Sequence, residues 1–228
     1  KKYDKNVDKN KELFTPQTKQ LALNSARQGI VLLKNEDKIL PLDEKSDRIL
    51  VTGPNADNQR LLGDWTTEQP AKNIITVKEG FQKIFGQDEV DYINSGESLR
   101  NPDEDKMKKA VRAASKYSTV IAVVGSNSLR YEWNKKTSGE NSARASIDLF
   151  GKQLELVRKL YNQNKNAIVV LINSRPIAEP WIKKHIPAII EAWEPGAMGG
   201  QAIAEIVKGK VNPSACLPIS IPYSVGQV

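Results

Sequence analysis

Two apolar runs, Val120–Val124 (VIAVV) and Ala167–Ile172 (AIVVLI), constrain this chain more than any other feature. Each is short, rich in β-branched residues and continuous rather than alternating. A strand with one wet face alternates apolar and polar residues, so a run with no polar member has to be covered on both faces. Strands of that kind belong to parallel sheets with helical crossovers. Shorter strand candidates stand around them at Arg48–Thr52 (RILVT), Val90–Asn94 and Ala188–Ala192, with Leu217–Ile221 as an edge strand between prolines.

Helical periods separate these runs. Leu21, Ala22, Ala26, Gly29, Ile30 and Leu33 predict a helix over 17–32, followed by a turn at Asn35–Lys38. Thr76 and Glu79 have the capping-box spacing and open a short helix that Gly86 ends. Asn101-Pro102 opens another, with Met107, Ala110, Val111 and Ala114 facing inward. Further helices are expected from about Gly151 (Leu154, Val157, Leu160, Tyr161), near Ile177–Lys184, and from Gly196–Gly200 to about Lys208. The alternation predicts an α/β three-layer sandwich, a mostly parallel sheet of about five to six strands with helices on both faces. Residues 1–16 read as a linker or arm and 17–228 as one domain.

Composition narrows the function classes. At 228 residues, 39% hydrophobic and 27% charged, the chain can form an ordinary core. The net charge of +7 comes from scattered lysines, with local concentrations at Lys1–Lys11 and Lys106–Lys109. No basic run is interleaved with aromatic residues, so no nucleic-acid partner is expected. One histidine, His185, leaves no histidine-based metal cluster, and its place at a helix end suits carbonyl capping. One cysteine, Cys216, excludes an internal disulfide and is expected to be a buried, inert thiol. No run approaches the roughly 20 apolar residues of a membrane span, and no signal sequence is visible. The chain opens on Lys1, and a processed chain or a fragment is expected.

The chemistry-bearing residues gather after the first apolar run. Val120–Val124 stops at Gly125 and releases a polar loop carrying Tyr131, Glu132, Trp133 and Glu140. Open α/β folds present chemistry on such loops, at the carboxyl edge of the sheet. Gly53-Pro54-Asn55-Ala56-Asp57 also follows a strand, which leaves a flavodoxin-like nucleotide domain as an alternative. It lacks GxGxxG and any Lys-Ser/Thr pair, so its phosphate signal is poor.

Three blocks carry a resemblance. Leu21–Leu42 (LALNSARQGIVLLKNEDKILPL) resembles the opening of the C-terminal domain of glycoside hydrolase family 3, the β-glucosidase and β-xylosidase family. Glu194–Pro218 (EPGAMGGQAIAEIVKGKVNPSACLP) resembles its closing segment. Gly139-Glu140-Asn141-Ser142-Ala143-Arg144, followed by Ile147-Asp148-Leu149 and Gln153, resembles the family's Gly-Glu-x-x-x-Arg loop. Ala215, Cys216, Phe150 and Ser146 depart from the usual pattern, which bears on local loop geometry.

The resemblance implies a shared active site. A (β/α)8 barrel, which needs about 250 residues of its own, would supply an Asp nucleophile. This domain would supply the general acid/base, and the barrel is the partner it implies. Retaining hydrolysis needs two carboxyl groups roughly 5–5.5 Å apart, one attacking the anomeric carbon while the other protonates the leaving oxygen. The motif selects Glu140 for the second role, with Glu132 as its rival beside Tyr131 and Trp133. Arg144 is expected to support the loop. Trp65, in LGDWTT, resembles a family tryptophan that faces the sugar pocket; a core position is the other reading. Trp181 and Trp193 are expected in the core. The substrate implied is a terminal β-linked sugar of an oligosaccharide or glucoside, without a cofactor or metal, in the periplasm or outside the cell. A carbohydrate-binding or docking domain that does no chemistry, using Trp65 and Trp133 as platforms, is the competing reading.

Overall fold

A computed structural model describes residues 14–42 and 48–227. Most of the expected arm, including its lysines, lies outside the described residues. Helix α1 (Pro16–Gly29) is followed by β1 (Val31–Asn35), β2 (Ile49–Thr52), α2 (Val77–Phe85), β3 (Val90–Tyr92) and α3 (Glu104–Ala113). Then come β4 (Thr119–Gly125), α4 (Gln153–Gln163), β5 (Ala167–Ile172), α5 (Pro180–His185), β6 (Ala188–Trp193) and α6 (Gly199–Val207). The strands form one six-stranded sheet in the order β1-β6-β5-β4-β2-β3. Strands β2 to β6 run parallel, and β1 lies antiparallel along the outer edge of β6.

The continuous apolar runs have the expected physical cause. Ile121 and Val123 of β4, with Ile168 and Val170 of β5, point to the face covered by α1, α2 and α6. Val120, Ala122 and Val124, with Ala167, Val169 and Leu171, point to the face covered by α3, α4 and α5. Every residue of β4 and β5 is buried, so neither strand has a position where a polar side chain would reach water. This is the three-layer sandwich that the alternation predicts.

Local signals set the helix ends. Thr76 Oγ1 accepts from Glu79 N at 3.3 Å while Glu79 Oε2 accepts from Thr76 N at 2.9 Å, completing the capping box of α2. Pro16, which looks like the end of an arm in the sequence, is the first residue of α1, where its missing N–H costs nothing. Helices α2 and α6 meet backbone to backbone. A Cβ at Gly80 would lie 2.1 Å from Gly200 O, and one at Gly200 would lie 2.0 Å from Thr76 O.

Several expectations need correction. The helix expected over 17–32 stops at Gly29, and Val31–Asn35 is a strand. The helical spacing of Ala26, Ile30 and Leu33 runs on across the boundary, but pairing with β6 draws the β-branched end of the segment into the sheet. Leu217–Ile221 is not a strand: Pro218 and Pro222 have no N–H to give, and β1 already lies along that edge of the sheet. Cys216 lies in the same irregular stretch, outside any helix or strand, and is exposed. The helix near Ile177–Lys184 is shorter, starting at Pro180. Trp181 and Trp193 are half-buried rather than core. Trp181 stacks on His185, with ring centres 4.4 Å apart, and His185 Nδ1 lies 2.8 Å from Trp181 O.

Candidate functional site

Because β2 to β6 are parallel, the loops that follow β2, β4, β5 and β6 emerge at one edge of the sheet. The chain reverses its direction of travel across the sheet at β2 and β4, the place where open α/β folds keep a ligand crevice. Here protein fills it. Gly53 approaches β4 so closely that a Cβ would sit 2.1 Å from Val123 O. Asn55 Nδ2 donates to Ser126 O and Ile172 O, both at 3.2 Å. The buried Arg60 donates through Nη1 to Pro54 O at 3.0 Å and Asn55 Oδ1 at 2.9 Å. Burial lowers the Arg60 pKa, an effect that the charge of Glu132 opposes. The nucleotide reading loses its site, and the chemistry moves outward to the loop rim.

That rim begins at Asn127. Its backbone O accepts from Thr137 N at 2.8 Å and Ser138 N at 3.2 Å, which closes residues 127–138 into a compact loop. Asn127 Nδ2 donates to Glu132 Oε2 at 2.6 Å, and Lys135 Nζ lies 3.2 Å from Glu132 Oε1. Glu132 is therefore turned back into its own loop and holds it shut. Tyr131 Oη donates to Gln59 Oε1 at 3.2 Å, tying this loop to the one after β2.

Glu140 stands at the outer side. Gly139, just before it, has φ +85°, and a Cβ there would lie 2.6 Å from Asp64 Oδ2. The glycine supplies both the backbone angle and the room. Glu140 N donates to Asp64 Oδ2 at 2.5 Å, while Lys136 Nζ donates to Asp64 Oδ1 and to Glu140 O, both at 2.9 Å. Lys136 is only 3% exposed. Burial works to raise the Asp64 carboxyl, but hydrogen bonds from Lys136 and the Glu140 amide, with the charges of Lys136 and Arg130, hold it below the usual carboxylate range. The Glu140 carboxylate is half exposed and pairs with Arg130 Nη2. The Arg130 guanidinium also lies over the Trp65 ring, 3.6 Å from its centre.

A second carboxyl lies beneath. Glu194 accepts a short hydrogen bond from Ser128 Oγ. Burial pushes its pKa up, with the Asp64 charge adding to the rise, while the Ser128 bond and the Lys136 charge oppose it. Gly63, at φ +88°, leaves the space that Glu194 Oε2 uses, 2.6 Å from where a Cβ would be.

The structure thus brings Trp65 and Glu140 together through Arg130, and leaves Trp65 76% exposed and Trp133 51% exposed. Trp65 is no core residue. Arg144 sits apart from the Glu140 carboxylate, pairing instead with Asp148 at 2.8 Å. Its guanidinium lies 5.2 Å from the centre of the Phe150 ring. Asp64, Arg130, Lys136, Ser128 and Glu194 are missed by sequence reasoning. Asp64 adjoins Trp65 and Glu194 opens the closing block, but no spacing rule pairs either with residues on another loop. Among the described residues no group of three or more His, Cys, Asp or Glu side chains is placed to hold a metal ion, and no helix is long and apolar enough to cross a membrane.

Comparison with known proteins adds a consistent set of relatives. Residues 30–228 match the model of the glycosyl hydrolase family 3 C-terminal domain. A beta-xylosidase of Formosa agariphila is 36% identical over 95% of this chain and 30% of its own length. A periplasmic beta-glucosidase of Salmonella typhimurium is 36% identical over 89% of this chain and 28% of its own. The structure of a beta-glucosidase from Listeria innocua in complex with isofagomine superposes with a TM-score of 0.86 at 26% identity, covering 98% of this chain and 30% of that one. The chain spans under a third of the length of these relatives.

Proposed function

The chain belongs to glycosyl hydrolase family 3 as its C-terminal domain, and from that premise we propose that it is the acid/base-bearing part of a retaining exo-β-glycosidase acting on terminal β-linked glucose or a similar sugar. Residues 17–228 form the domain, and the barrel that would carry the Asp nucleophile lies elsewhere in the complete protein. The observation that carries the reading is the placement of Glu140. It lies on the rim of the carboxyl edge, with a fixed backbone, a half-exposed carboxylate and an exposed tryptophan across a shared arginine.

The chemistry follows from that placement. A carboxyl acting first as acid and then as base has to reach the glycosidic oxygen from a surface that closes over the sugar. Glu140 meets that need, because a docked partner would cover its open side. Glu132 suits it less, since both of its oxygens are engaged within its own loop. Trp65 offers a flat apolar face beside the carboxylate, suited to the C–H face of a leaving sugar. Trp65 and Trp133 would also serve a sugar-binding domain that does no chemistry. Calorimetric binding of glucose oligosaccharides to the 228-residue chain would favour that second reading.

The test is Glu140→Gln in the complete protein, assayed on β-glucosides and β-xylosides in parallel. Hydrolysis of an unactivated disaccharide is expected to fall by about 10²–10⁴-fold. A dinitrophenyl glycoside, whose leaving group needs no proton, is expected to fall far less, and azide should restore its turnover. An unchanged rate on the disaccharide would remove Glu140 from the role.

A further inference from the structure

Resting on the reading of Glu140 as acid/base, we infer that Asp64 and Lys136 are positioning residues, a buried ion pair that fixes the backbone of Glu140 from both sides. A residue in an exposed loop ordinarily gives its backbone N–H and C=O to water. At Glu140 neither is left to water. The N–H goes to Asp64 Oδ2 at 2.5 Å and the C=O to Lys136 Nζ at 2.9 Å, and the two side chains bond each other at 2.9 Å. The four groups close a ring through one residue's backbone.

The burial of the pair makes this more than a surface bridge. The Lys136 and Asp64 side chains keep 4% and 11% of their exposure. Lysine is almost never buried unless paired, and a buried ion pair is a poor way to gain stability. What such a pair gives is definition, because each partner left alone would be a buried charge. The second requirement for the ring is Gly139, whose missing side chain is the space that Asp64 Oδ2 occupies. Among the described residues Glu132, on the same loop, has no comparable hold from another loop on its backbone; its N–H bonds locally to Leu129 O at 3.0 Å.

The function of such a ring is to set where the Glu140 carboxyl starts from. A proton donor displaced by about 1 Å can lose roughly 10²-fold in rate. Asp64 and Lys136 touch no reacting atom in this account and act only through Glu140.

Asp64→Asn, Asp64→Asn with Lys136→Met, Glu140→Gln, and Asp64→Asn combined with Glu140→Gln would be compared in the complete protein. The second variant removes both charges and serves if Asp64→Asn alone does not fold, as judged by circular dichroism and thermal unfolding. Expected is a fall of about 10–100-fold in kcat on a β-linked glucose or xylose disaccharide. KM should change less, the dinitrophenyl glycoside should be largely spared, and azide should restore its turnover. Adding Asp64→Asn to Glu140→Gln should then slow the reaction no further. Folded Asp64 variants that slow both substrates equally, or neither, while Glu140→Gln discriminates between them, would overturn the positioning role alone. If Glu140→Gln itself does not discriminate, the reading of Glu140 fails, and the positioning role falls with it.

Discussion

A carboxyl group with no cation beside it among the described residues lies inside the sheet. Glu191 of β6 is fully buried, accepting from Trp193 N at 2.9 Å and Asn173 Nδ2 at 3.3 Å. Burial pushes its pKa from 4.5 up to about 8, against the pull of those two bonds. Between these values the unfolded chain releases a proton that the folded chain keeps, so stability falls as pH rises through that window. At pH 7 the loss is on the order of 3 kcal/mol. Glu191→Gln is expected to flatten this dependence and to raise the melting temperature at pH 8 more than at pH 5, as thermal unfolding at the two values would show. Equal shifts at both would mean that Glu191 is ionised in the fold. Glu191 also marks what can be read at this scale. Glu140 is legible as a candidate because a glycine and an arginine stand at fixed distances along the chain. Asp64 and Lys136 are not, because their partners lie up to 76 residues away and a loop charge looks solvated until a second loop covers it. Cys216 fails the other way, since nothing in its neighbours says that the chain there leaves the core.

The elements were easier to read where packing and period agree. β4 and β5 are unmistakable, since a two-sided core demands an unbroken apolar run. β1 was hidden inside a helical period because the residue that ends α1 also continues its spacing. The α2–α6 contact was invisible as well, for it depends on two glycines on separate helices. It rests on the absence of side chains: Gly80 faces Gly200 O and Gly200 faces Thr76 O. Gly80→Ala should force the two helices apart at a place where only backbone can yield. The expected cost is about 1–3 kcal/mol, against the gain in helix propensity that alanine normally brings. A urea denaturation midpoint equal to or above that of the unaltered chain would show that the helices can slide to admit a methyl group.

For the whole molecule, the proposed function makes the 228-residue chain one side of a site. It has a candidate acid/base, an exposed tryptophan and a rim open to solvent, with the nucleophile assigned to the missing barrel. The purified chain is therefore expected to leave an aryl β-glucoside unhydrolysed above background, and turnover approaching that of the complete protein would contradict the division of labour. The fold class and the family were legible at this scale because order and spacing of the blocks run the length of the chain. The sugar was not, as the proposed function gives the surfaces that would grip it to the barrel.

The ring through Glu140 has a consequence for how such a domain can change. One of its members descends from β2 and two from β4, so the two loops are geared together. A residue gained or lost between β2 and Asp64 shifts one jaw, and the same change between β4 and Lys136 shifts the other. Neither loop is free to vary in length alone, and whoever transplants one between relatives has to carry the other with it.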